Sequence, residues 1–166
     1  MKKLIVILLI CILNIVNAQT KYSISFSPIG LYTDFKSDKL IGFNGNAEFS
    51  KHFNKNIISI YCSVGLGVTI QNKKTYNGQG YFEADALYSR RYFVNNFLVI
   101  EPQLGFGYIG FGTTSDQTPK NFIGFPVRIK AMAFTNNKFA LGLYTGSNFN
   151  SYKSIYSLGT LFNFNF

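Results

Sequence analysis

The sequence predicts an all-β protein: an eight-stranded antiparallel up-and-down transmembrane β-barrel, preceded by a cleaved signal peptide. Three observations carry this reading. Eight segments alternate between apolar and polar or small residues, the period of a strand whose two faces meet different surroundings. The connections between them alternate between short and long. Beyond the first eighteen residues no apolar run is long enough to cross a bilayer as a helix. A membrane chain of this kind must close its strands into a barrel, because only helices and closed sheets satisfy every backbone group in lipid.

Residues 1–18, MKKLIVILLICILNIVNA, have the three parts of a secretory signal peptide: Lys2 and Lys3, an apolar run from Leu4 to Leu13, and the small-residue exit Val16-Asn17-Ala18. That run is too short for a spanning helix. Cys11 lies inside it rather than after it, which argues against lipoprotein processing. Cleavage is expected between Ala18 and Gln19, leaving 19–166 as a single barrel domain. Losing Lys2 and Lys3 takes two from the formal charge of +9, giving +7. Losing Cys11 leaves Cys62 alone, so no intramolecular disulfide holds the domain.

Each segment has two faces. The first, 21–29, sets Tyr22, Ile24 and Phe26 against Ser23, Ser25 and Ser27. The second, 40–53, opposes Ile41, Phe43, Ala47 and Phe49 to Gly42, Asn44, Asn46, Glu48, Ser50 and His52. In the third, 57–70, an unbroken apolar face from Ile58 to Ile70 opposes Ser59, Tyr61, Ser63, Gly65, Gly67 and Thr69, the strongest single signal in the chain. The fourth, 81–93, alternates Phe82, Ala84, Ala86 and Tyr88 with Glu83, Asp85, Ser89 and Arg91. The fifth, 97–111, opposes Leu98, Ile100, Leu104, Phe106 and Tyr108 to Glu101, Gln103, Gly105 and Gly107. In the sixth, 121–134, a face running from Ile123 to Ala133 opposes Gly124, Arg128 and Lys130. The seventh, 138–149, sets Phe139, Leu141 and Leu143 against Ala140, Gly142, Tyr144 and Gly146. The eighth, 155–166, carries Tyr156, Leu158, Phe162, Phe164 and Phe166 opposite Ser157, Gly159, Asn163 and Asn165.

Short turns at 54–56, 94–96 and 135–137 alternate with longer polar stretches such as 33–39, 71–80 and 113–121. In an up-and-down barrel this puts the long loops at one end and the short turns, with both termini, at the other. Across the 94–96 turn, setting Phe93 opposite Phe97 brings Ser89 to Glu101 and keeps polar face against polar face.

Alternation does not say which face is inside. The polar face is rich in Gly, Ser and Asn, sizes that fit a crowded eight-stranded interior. The apolar face forms an aromatic belt that a soluble protein would have to hide. Eleven tilted residues rise about 25 Å, the height of the apolar band on outer-membrane barrels. The polar face is therefore expected inward. Glu48, Glu83, Asp85, Arg91, Glu101, Arg128 and Lys130 all lie on it and are expected to form a lumen ion-pair network. Arg90 is the exception, near a turn where its side chain can snorkel to the interface.

The chain ends in Ser157, Gly159, Phe162, Phe164 and Phe166, the pattern polar–x–Gly–x–x–aromatic–x–aromatic with a final aromatic. This resembles the C-terminal signal by which the barrel-assembly machinery recognises bacterial outer-membrane proteins. With the signal peptide, eight segments and loop asymmetry, 19–166 resembles the OmpA/OmpX-like small-barrel superfamily. The resemblance implies insertion in the outer membrane among its lipid and lipopolysaccharide, a monomer, periplasmic termini and extracellular long loops. A structural or surface-interaction role follows from it, with a narrow porin-like channel and a lipid-modifying enzyme as alternatives. The periplasmic peptidoglycan-binding domain of full-length OmpA has no counterpart here.

No catalytic residue, cofactor site or metal site is expected. His52 is the single histidine, which excludes a multi-histidine metal site. Glu48, Ser50 and His52 share a face, but residues two apart on a strand stand about 7 Å apart, too far for a triad. The glycines at 65–67, 105–107 and 110–112 lie in strands with no following helix, so they are not phosphate loops. Lys36, Lys39, Lys73 and Lys74 are candidate surface contacts for anions, with Lys120 and Lys153 in the same set of loops. Basic residues scattered in this way do not suit nucleic acid.

Overall fold

The computed structural model describes residues 21–34, 39–71, 75–113, 119–135 and 138–166. The expected signal peptide, and Lys36, Lys73 and Lys74, lie outside them. Nine extended stretches form one antiparallel sheet: β1 (Lys21–Asp34), β2 (Lys39–Phe53), β3 (Asn56–Gln71), β4 (Thr75–Arg90), β5 (Tyr92–Phe93), β6 (Leu98–Thr113), β7 (Lys120–Ala133), β8 (Phe139–Asn150) and β9 (Ile155–Asn165). β5 continues the line of β4 past Arg91, and both pair with β6, so the nine stretches make eight staves. The sheet runs β4-β3-β2-β1-β9-β8-β7-β6, and the β4–β6 ladder closes it. Closure pairs β4 with β6 from Gln79 to Ser89, where an open sheet would leave two free edges.

The faces follow the alternation. Ile123, Phe43, Phe106 and Leu66 are 71%, 66%, 65% and 77% exposed, whereas Glu101, Gln103 and Lys130 are 1%, 2% and 3% exposed. Polar groups are inside and large apolar groups outside, the reverse of a soluble core. The strands nonetheless run longer than their alternating segments. β1 continues past residue 29 through a bulge, in which Pro28 and Ile29 together stand opposite Gly45. Proline has no N–H to give a ladder, so it fits where pairing lapses. The bulge moves the inward set from Ser23, Ser25 and Ser27 to Gly30, Tyr32 and Asp34.

Two expectations need correction. Most of the long connection expected at 71–80 is strand, because β3 runs to Gln71 and β4 begins at Thr75. Much of the asymmetry between the two ends is therefore strand extension rather than loop. The backbone of Lys39 likewise belongs to β2. Secondly, Ser89 pairs with Gln103, and Phe93 with Val99, two residues away from the register inferred across the 94–96 turn. A slip of two keeps every side chain on its face, so the face pattern alone cannot detect it.

Candidate functional site

The lumen is built in layers from the inward residues of all eight staves. At the end away from the termini, here the loop end, Tyr32, Leu40, Tyr81, Ile109, Phe111 and Ile155 form a buried apolar cluster, with Phe122 and Tyr152 packed against it. The next layer is phenolic and amide. Asn44 Nδ2 donates to the Tyr81 and Tyr144 hydroxyls, each at 3.1 Å, and Ser63 Oγ lies 3.0 Å from Tyr81 Oη.

Below it lie the charges. Arg128 Nη2 donates to Glu83 Oε1 at 2.7 Å and Asp85 Oδ2 at 2.8 Å, and its guanidinium carbon stands 3.2 Å over the centroid of the Tyr61 ring. Asn148 Nδ2 donates to the same Glu83 oxygen at 2.6 Å. Lys130 Nζ bridges Glu48 Oε1 at 2.9 Å and Glu101 Oε1 at 2.8 Å. Gln103 Nε2 adds a 2.9 Å bond to Glu48. Arg91 Nη2 reaches Glu101 Oε2 at 3.2 Å. The seven charged residues expected in the lumen thus fall into two ion-paired groups, one around Arg128 and one linking Glu48, Lys130, Glu101 and Arg91.

Strand register explains the grouping. Gln103 pairs with Arg128 and Glu101 with Lys130 across β6–β7, while Glu83 and Asp85 come from β4 on the other side of β6. Small residues make room for these long side chains. A Cβ on Gly146 would stand 2.5 Å from Arg128 Cγ.

The C-terminal aromatics lie outside this interior. Phe162 and Phe164 stack on Phe26 with centroids 5.4 and 5.9 Å apart, and Phe166 stacks on Tyr22 at 6.4 Å. Gly159 passes Gly30 closely: a Cβ on Gly159 would lie 2.9 Å from Gly30 Cα and 2.6 Å from Tyr144 Cε1. Ser157 pairs with Tyr32 on β1.

No protein-family model matches the sequence, and no curated protein matches it. Solved structures do match. Neisserial surface protein A superposes with a TM-score of 0.61 at 8% identity, over 89% of this chain and 97% of its own. The attachment invasion locus protein Ail of Yersinia pestis, in complex with the heparin analogue sucrose octasulfate, gives 0.58 at 10% identity over the same shares. The N-terminal β-barrel domain of Pseudomonas aeruginosa OprF gives 0.51 at 11%, over 88% and 97%. This chain has the fold of the small outer-membrane barrels.

Within that fold, Glu48 and Ser50 do meet, contrary to the spacing of about 7 Å expected along the strand, but His52 bonds Ser23 instead of Ser50. Ser50 Oγ donates to Glu48 Oε1 at 3.0 Å and lies 2.9 Å from Ser59 Oγ, while His52 Nε2 is 2.8 Å from Ser23 Oγ. The inward apolar cluster is what sequence reading missed. Its signal was present in Ile109 and Phe111, which continue the inward phase of Glu101, Gln103, Gly105 and Gly107 beyond the polar part of the strand. At the loop-end rim, Lys120 and Lys153 place their ammonium groups 5.4 and 5.8 Å from the Tyr152 ring centroid, and Lys153 also lies 3.6 Å from Asp34.

Proposed function

We propose that the protein is an integral outer-membrane barrel with a structural or surface-interaction role and a lumen filled by its own side chains. The observation that carries this is the inversion of faces: an apolar belt around every stave over a buried, ion-paired interior, which is the arrangement lipid stabilises. In this reading the termini are periplasmic, the loop end is extracellular, and the outer surface contacts outer-membrane lipid and lipopolysaccharide. The rim cations Lys120 and Lys153 around Tyr152 suit anionic surface ligands, as does the polyanion-bound state of the similar barrel Ail. The terminal Phe162, Phe164 and Phe166 would serve recognition by the barrel-assembly machinery.

The filled lumen and the apolar cluster across its loop end favour this over a narrow channel. An eight-stranded barrel has room inside for side chains and little else. The separate engagements of Ser50 and His52 favour it over a lipid hydrolase. Expression in a Gram-negative host, membrane fractionation and cold gel electrophoresis test the reading. The mature chain should sediment with the outer membrane and migrate as a compact species that shifts on boiling. Recovery as a soluble periplasmic protein would overturn it. Replacing Phe162 and Phe164 with serine should leave the chain secreted but lower its outer-membrane level; normal levels would remove the assembly role from these residues.

A further inference from the structure

Past the charged layers the interior is filled again by buried Val99, Met132 and Leu161. Beyond them, at the end carrying the termini, lies a cavity of 470 Å³, lined by Lys21, His52, Arg91, Phe93, Lys138 and Phe166 among others. That volume is within the range of small-molecule sites, about 300–1,000 Å³. Its charge differs in kind from the layers above. In the middle of the lumen each cation is matched by carboxylates, whereas no acidic side chain lines the mouth among the described residues. Lys21 and Lys138 have no ion-pair partner among them.

The three cations come from separate staves and share the inward phase. Lys21 precedes buried Ser23 by two on β1, Arg91 follows buried Ser89 by two beyond β4, and Lys138 precedes buried Ala140 by two before β8. Lys21 pairs with His52, and the Lys138 carbonyl accepts from Asn165 N at 2.8 Å, so both lysine backbones are fixed to the wall. Arg91 is tied by Nε and Nη2 to Glu101 at 3.3 and 3.2 Å, which leaves two lysines against the single terminal carboxylate of Phe166 and a net positive mouth. A concavity lined by one sign of charge with low-dielectric walls concentrates counter-ions.

We propose that this mouth is a binding site for a phosphate-bearing ligand, a phosphate monoester or diester. Lysines from two staves in one cavity, with Arg91 on a third, suit an anion that presents oxygens in several directions, as phosphate does and a carboxylate does not. Lysine binds phosphate as a point charge, arginine through its planar fork. Phe93 and Phe166, 57% and 64% exposed, form an apolar lip for whatever organic group the phosphate carries. The same chemistry is available from a soluble phosphate compound and from a phospholipid headgroup whose chains drape over that lip.

The test uses the refolded chain, with amide shifts of Asn54 and Thr135, which line or adjoin the mouth, as the readout. One arm titrates inorganic phosphate and glycerol 3-phosphate into protein in phosphate-free sulfobetaine micelles. The other titrates short-chain phosphatidylglycerol into the same micelles. Saturable shifts confined to the mouth support the site: in the first arm they identify a soluble ligand, in the second alone a headgroup. The Lys21→Ala/Lys138→Ala variant alters only exposed side chains and should fold, as heat-modifiable mobility will check. Its binding should be about tenfold weaker, through loss of two charge-assisted contacts. Absence of saturable shifts in both arms, or unchanged binding by the double variant, would overturn the proposal. Neither arm depends on where the barrel resides in the cell, so its failure would leave the outer-membrane reading standing.

Discussion

In the middle of the lumen, Arg128 and Lys130 are buried and ringed by four carboxylates. Two layers towards the loop end, Leu40, Ile109, Phe111 and Ile155 are equally buried and held by packing. Both regions fill the barrel, but they fail differently. A buried ion pair leaves an uncompensated charge when one member goes, whereas an apolar contact leaves only a void. The comparison teaches that the inversion of faces is incomplete: apolar side chains are buried on both sides of the charged layers, Leu40, Ile109, Phe111 and Ile155 towards the loops and Ile57, Val99, Met132 and Leu161 towards the termini.

The largest expected effect breaks the ionic side. Arg128→Leu strands Glu83 and Asp85 together and should cost about 3–5 kcal/mol, read by urea unfolding in lipid vesicles. The comparison sharpens if Glu83→Gln and Asp85→Asn are then added to Arg128→Leu, since removing all three charges should recover most of that stability. Failure to recover would mean that Arg128 acts mainly by its volume over Tyr61.

Ile109→Ala breaks the apolar side, with an expected loss of about 2–4 kcal/mol that no charge substitution rescues. Planar-bilayer recordings of this variant should still show no stable openings, because the ionic layers below remain filled. Sustained conductance would make the cluster a gate rather than a lid.

A third substitution tests the outer wall against both interiors. Phe106→Lys, at the middle of β6, should cost about 2–3 kcal/mol in lipid through the placement of a cation against acyl chains. The smallest effect is expected at Arg91, whose side chain is 13% exposed and whose partner Glu101 keeps Lys130 at 2.8 Å. Arg91→Ala should therefore cost about 1–2 kcal/mol in the same unfolding assay, less than Arg128→Leu because Lys130 still faces Glu101.

The architecture was legible because lipid imposes a binary rule on every stave. Seven charged residues on one face of four segments could be assigned inward without any pairing information. What the rule leaves undetermined is visible in the same residues. Period two fixes that Ser89 faces inward, but whether it meets Glu101 or Gln103 depends on the turn. The bulge at Pro28–Ile29 was hidden because the alternation appears simply to stop there. Tyr32, Ile109 and Phe111 were missed because an apolar residue has no reason to point inward until a neighbouring stave supplies another. The basic mouth was illegible for a similar reason: Lys21, Arg91 and Lys138 meet only after the sheet has closed.

That closure gives the paired glycines of the seam a further meaning. Most ladders of the wall join staves adjacent in sequence, but β1 and β9 lie at opposite ends of the chain, with Ser25 and Asn163 separated by 138 positions. This joint is costly in chain entropy and is made without a turn to set its alignment. A slip of two would preserve every facing side chain, so polarity alone does not align it. Sterics can. The passage of Gly30 against Gly159 beneath Tyr144 has no room for a Cβ, and a slipped β9 would bring Leu161 or Ser157 to Gly30 instead. The two glycines work as a vernier: the ends of the chain can be brought together at several settings, and one of them closes flush.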